Sequence, residues 1–70
     1  MARGTLKWFN YDKGYGFITP DEQPSEKDVF IHITALQRAN IEKIAEGQRV
    51  EYKTYADRGR IAADILQILE

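Results

Sequence analysis

Lys13-Gly14-Tyr15-Gly16-Phe17-Ile18 is the stretch that decides the fold. Side chains of a β-strand alternate between its two faces. Lys13, Tyr15 and Phe17 therefore share one face, and Gly14, Gly16 and Ile18 fall on the other. A second stretch, Asp28-Val29-Phe30-Ile31-His32-Ile33, repeats the pattern, with Phe30 and His32 on one face and Val29, Ile31 and Ile33 opposite. Just upstream stand Lys7, Trp8, Phe9 and Asn10. As neighbouring strands, the three segments would place rings and lysines together on one sheet face. The aliphatic face is enough to fill a small core. Rings interleaved with cations are the chemistry of a platform for single-stranded nucleic acid, because every base has a π-face to stack.

Outward from this centre, Thr5 to Tyr11 reads as the first strand, rich in β-branched and aromatic residues. Asp12-Lys13-Gly14 is a turn signal, with Gly14 free to take positive φ. The second strand runs from Tyr15 to Thr19 and stops at Pro20, which has no N–H for a ladder. Asp21 to Lys27 is a polar loop, and Asp28 to Ile33 is the third strand. Thr34 and Gln37 have capping-box spacing, which predicts one short helical turn capped by Thr34. Arg38 to Glu46 is irregular, Gln48 to Tyr55 is a fourth strand, and Asp57-Arg58-Gly59 is a turn. Ile61 to Leu69 is ambiguous: Ile61, Ile65, Ile68 and Leu69 also fit a helical stripe. The open edge that four strands would leave decides for a fifth strand, since closure removes an edge. The parity of Trp8 and Phe9 is opposite, so Phe9 stands open between core and binding face.

The chain has 70 residues, a formal net charge of −1, one histidine and no cysteine. That length makes one domain over residues 1–70. Without cysteine there is no disulfide or thiolate metal site. A single histidine with only Asp28 near it does not make a metal site. The near-neutral charge argues against indiscriminate polyanion binding and leaves a local basic patch as the electrostatic footprint. No apolar run reaches a membrane span, and Met1-Ala2-Arg3-Gly4 has no apolar signal core. These features predict a soluble cytoplasmic protein with neither cofactor nor small-molecule substrate. No nucleophile–base pair or phosphate-cradling loop is present, so no enzyme is predicted.

Taken together, Lys7-Trp8-Phe9-Asn10, Lys13-Gly14-Tyr15-Gly16-Phe17-Ile18 and Val29-Phe30-Ile31-His32 resemble the bacterial cold-shock proteins. The likeness continues through Ala35, Gln37, Glu46-Gly47-Gln48, Val50, Arg58-Gly59 and Ala62-Ala63. It implies an all-β fold: a five-stranded antiparallel oligonucleotide-binding barrel with one short helical turn after the third strand. It also implies binding of single-stranded RNA and single-stranded DNA with little sequence selectivity, often favouring pyrimidines. RNA chaperone activity and, for some members, transcription antitermination are implied with it. By the resemblance, Trp8, Tyr15, Phe17, Phe30 and His32 would stack on bases. Lys7, Lys13 and Arg58 would lie near phosphates or base edges. Asn10 would hydrogen-bond near the rim, and Asp28 would contact a base edge.

Four positions depart from the family pattern. Ile33 and Ile41 stand where aromatic residues are usual, Arg60 where proline is, and Tyr11 where small or polar residues are common. The two isoleucines predict a shorter effective site or weaker affinity, partly offset by Tyr11, Arg38 and Arg60. They also fit the alternative reading, a protein-interaction or dimerisation module using the same exposed face. A monomer is the expectation under the first reading, and a dimer under the second.

Overall fold

The computed structural model describes residues 2–21 and 28–69; apart from Asp21, the expected polar loop lies outside them. Five strands and one helix follow in order: β1 (Ala2–Asn10), β2 (Tyr15–Pro20), β3 (Val29–His32), α1 (Ile33–Arg38), β4 (Arg49–Asp57) and β5 (Arg60–Leu69). The strands close into a barrel in the order β1-β2-β3-β5-β4, with β4 pairing back onto β1. This is the expected oligonucleotide-binding barrel. One junction differs from the all-antiparallel expectation. β3 meets β5 in parallel, through the pair Phe30 and Ala62. The chain reaches β5 only after crossing the barrel as α1 and β4, so β5 enters in the same sense as β3.

The ambiguous C-terminal segment is a strand, in antiparallel register with β4 from Arg49 opposite Leu69 to Asp57 opposite Arg60. A bulge between Glu51 and Tyr52 interrupts that register. It shifts the parity of β5, which is why its isoleucines mimic a helical stripe. Ile65 points inward, whereas Ile61 and Ile68 are exposed.

The interior is aliphatic, as the alternation predicts. Leu6, Ile18, Ile31 and Val50 are fully buried, with Val29, Ala63 and Ile65 around them. Tyr52 is the one ring in this buried cluster. Ala35 and Leu36 of α1 belong to the same cluster, so the short helix packs on the core. Its N-cap is His32, whose Nδ1 accepts a hydrogen bond from the Thr34 backbone N–H at 3.2 Å. Thr34 therefore lies inside the helix and is not its cap. The helix starts two residues earlier than the sequence signal because the imidazole supplies the acceptor that a capping residue must offer.

Tyr11 clasps the irregular segment after α1. Its hydroxyl accepts from the Ile44 N–H at 2.6 Å and donates to the Ile44 carbonyl at 3.0 Å. Ile44 is buried, so the backbone N–H has no easy alternative in water. Tyr11→Phe is expected to cost about 1–2 kcal/mol, because it leaves that N–H without its acceptor. A urea unfolding curve checks this. The midpoint should fall with an unchanged slope; an unchanged midpoint would contradict the clasp.

Candidate nucleic-acid interface

A β-bulge sets the ring face. Leu6 pairs with Ile18, but the next pair is Trp8 with Phe17, so Lys7 is the extra residue in β1. A bulge turns the strand by one residue and resets its alternation. Leu6 stays in the core, Trp8 goes to the outer face, and Phe9 returns inward. Phe9 packs against the core cluster, which answers the question its parity left open. It fits there because Gly16, its partner in the register, has no side chain. A Cβ on Gly16 would lie 2.7 Å from Phe9 Cδ2 and 2.3 Å from the Trp8 carbonyl oxygen. Gly14 has φ +79°, as the turn requires.

The outer face of β1, β2 and β3 is ordered in rows. The register aligns Trp8 with Phe17 and Phe17 with Phe30; the next outward row aligns Asn10 with Tyr15 and Tyr15 with His32. The rings support one another largely edge to face. Trp8 meets Phe17 at 5.3 Å and Tyr15 at 5.6 Å between centroids. Phe17 meets Phe30 at 5.9 Å. Such pairs add roughly 0.5–1.5 kcal/mol each and fix ring orientation before any ligand arrives. Trp8, Tyr15 and Phe17 are half-buried and His32 is exposed. These four offer ring surface to solvent. Phe30 does not: it is only 7% exposed. The Arg60 guanidinium sits over its ring, with Cζ 4.0 Å from the centroid.

The polar site residues divide by what already holds them. Lys7 Nζ lies 2.9 Å from Asp28 Oδ2, and Asp28 Oδ1 accepts from Thr19 at 3.4 Å. Asp28 is thus tied across the sheet and orients Lys7 beside the rings; a base edge would have to compete for it. Asn10 Oδ1 accepts from the Lys13 backbone N–H at 2.9 Å and closes the turn between β1 and β2. The exposed side chains of Lys13 and Arg58 make no ion pair among the described residues, nor does Arg60. By contrast, Arg3, Arg38 and Arg49 are each paired with a carboxylate of the chain: Glu51, Asp64 and Asp21. The hydrogen bond to Asp64 holds the Arg38 pKa above its ordinary value. Among the described residues Lys13, Arg58 and Arg60 therefore keep their charge unpaired in a chain of net charge −1, and Arg60 lies against the ring rows. Arg58 has φ +53° in the turn before β5. Arg38, which the sequence offered as compensation for the isoleucines, is committed to Asp64.

The isoleucine positions lie together. Ile33 and Ile41 line an open cleft of about 510 Å³ with Tyr11, Leu36 and Gln37. The Tyr11 ring packs on Phe9 at 4.8 Å. An aromatic ring thus borders the aliphatic end of the face from the first turn. Residue type alone does not show that Arg60 covers Phe30. The only trace of it in the sequence is an arginine where the family pattern has proline.

A closed five-stranded barrel with ring-bearing rows on three adjacent outer strand faces defines an oligonucleotide-binding fold of the nucleic-acid-binding class. The 'Cold-shock' DNA-binding domain model matches residues 2–68, and the chain belongs to that family. It is 48% identical over 69 residues to probable cold shock protein y4cH of Sinorhizobium fredii, covering 96% of this chain and 97% of that protein. Identity to cold shock-like protein CspE of Escherichia coli K12 is 45% over 67 residues, covering 94% of each. Identity to cold shock protein CspA of Rhizobium meliloti is 45% over 69 residues, covering 96% of this chain and 97% of the relative.

Proposed function

We propose that this protein binds single-stranded RNA and DNA by stacking bases on the outer face of β1, β2 and β3, and that it acts as an RNA chaperone. The observation that carries the reading is the separation of ring types. The solvent-facing rows hold Trp8, Tyr15, Phe17 and His32, while the interior is built almost wholly from aliphatic residues. Half-exposed rings contribute less to the core than buried ones, and they suit a ligand with flat π-faces. A duplex hides those faces, so the protein takes up strands that are already open or briefly open. Lys13, Arg58 and Lys7 supply charge along the strand, and three to four phosphate contacts give a salt slope of roughly −2 to −3. Stacking carries little base selectivity, which suits many transcripts over one. Opening a terminator stem by the same trapping would make the protein a transcription antiterminator. In this reading it works in the cytoplasm as a monomer; the closed strand order leaves no free sheet edge among the described residues for pairing with a second copy.

The chaperone role is tested with an RNA hairpin of weak stem, labelled with a fluorophore and quencher at its ends. Added protein should open it in proportion to the protein bound, with no nucleotide triphosphate present. If the protein binds the open strand and the hairpin still stays closed at saturation, it is a binding protein and not a chaperone.

A further inference from the structure

The geometry points to Arg60 as a specificity residue: it makes the base position over His32 prefer guanine to thymine and adenine. This rests on the stacking reading above and narrows it at one position. Phe30 lies in the ring rows, yet Arg60 covers it at 4.0 Å. The covering follows from the barrel's one parallel junction. Phe30 pairs with Ala62, and Arg60, two residues earlier in β5, shares the outward parity of Ala62. Ala62 is too small to fill the space beside the ring, so the longer arginine side chain leans over it. Arg60 makes no ion pair among the described residues, so its charge and donors remain available to a ligand.

At this corner a strand therefore meets a guanidinium before it meets a ring. The neighbouring open ring is His32, exposed and 6.3 Å from Phe30 between centroids. The His32 ring is held by its bond to the Thr34 N–H. A base stacked on it would sit about 3.5 Å above the imidazole, at van der Waals contact. The His32 and Phe30 rings are tilted by 37° with centroids 6.3 Å apart, so a base stacked on His32 would present its edge at an angle to the Arg60 guanidinium over Phe30. The arginine fork presents two parallel donors. Guanine meets them with two adjacent acceptors, O6 and N7. Adenine offers N7 next to an amino donor, and thymine has its N3–H between O2 and O4; cytosine, whose unpaired edge carries O2 beside N3, is the one other base with an adjacent acceptor pair.

The test uses Trp8 fluorescence to measure the affinity of heptathymidylate and of versions in which one guanine, or one adenine, is walked through the seven positions. One position should bind guanine about tenfold more tightly than thymine, the discrimination of a single bidentate contact. Adenine at that position should stay near the thymine value. In Arg60→Ala the ratio of guanine to thymine affinity should fall to about one. Arg60→Lys, which keeps the charge and loses the fork, should lose the preference as well. The ratio is the readout, because removing a cation also lowers affinity for every sequence. A wild-type ratio of one at all positions would overturn the inference. So would a preference that survives in Arg60→Ala, or adenine binding as well as guanine. Normal heptathymidylate binding with a flat base profile removes only the role of Arg60. Failure of every strand to bind removes the stacking reading itself.

Discussion

Phe17→Ala is expected to weaken single-strand binding by about 1–3 kcal/mol, the worth of one base stacked on an aromatic side chain. That corresponds to roughly five- to 150-fold in Kd. Phe17 stands at the centre of the ring rows, between Trp8 on β1 and Phe30 on β3. Its ring touches Trp8 at 5.3 Å and Phe30 at 5.9 Å. It is only half-buried and lies outside the core cluster. The variant should therefore stay folded and lose about 1 kcal/mol of stability through the missing edge contacts. Binding and unfolding measured on the same preparation separate the two effects. A folded variant that binds as well as the wild type would remove Phe17 from the site.

Gly16→Ala is expected to have the larger effect on the fold. The added methyl would meet the Trp8 carbonyl oxygen at 2.3 Å and Phe9 Cα at 2.8 Å, both backbone atoms. Neither can rotate away, so β1 and β2 must separate where Phe9 passes beneath β2. Overpacking of this kind costs about 1–3 kcal/mol. A domain of this length has on the order of 4–10 kcal/mol to lose, and each kcal/mol lowers Tm by about 4–8 °C. The same shift displaces Trp8, so its emission spectrum should change along with the melting temperature. A variant with wild-type Tm would contradict the packing of Phe9 under Gly16.

Much of this architecture is legible in the sequence, for physical reasons that differ by element. The alternation in Tyr15-Gly16-Phe17-Ile18 and Val29-Phe30-Ile31-His32 has period two, and both strands and their faces follow from it. The fifth strand is not local information. Ile61, Ile65 and Ile68 carry a bulge-shifted pattern, and only the need to close the barrel separates strand from helix. The bulge at Lys7 is equally silent, because an extra backbone residue leaves no mark in side-chain type. It nonetheless decides that Trp8 faces out and Phe9 faces in. The cap of α1 is His32 because its imidazole accepts from the Thr34 N–H; an imidazole is rare at that position, so the common pattern points to Thr34 instead.

The site was legible as a set of ring positions and less so as a set of free side chains. Tyr15, Phe17 and His32 lie on the outer face with ring surface exposed, where alternation puts them, and the bulge at Lys7 brings Trp8 to the same face. Phe30 lies there too, but under Arg60. That contact depends on a parallel pairing between residues 30 and 62, which no local window contains. Asp28 and Asn10 have the right positions and prior engagements: Asp28 with Lys7 and Thr19, Asn10 with the Lys13 backbone. Polar side chains on a small sheet hold turns and neighbours as well as ligands, and sequence type alone does not divide those duties.

In the function proposed above, the outer rows bind bases by their faces. Trp8 lies in those rows and is the chain's one tryptophan, so its emission reports on them directly. The decisive measurement titrates Trp8 fluorescence with a seven-base single strand, and with the same seven bases closed into a G·C-clamped hairpin stem. Saturable quenching by the single strand is predicted, with the stem at least about tenfold weaker because its base faces are buried. Equal quenching by strand and stem, or none by either, would rule out base stacking on these rows.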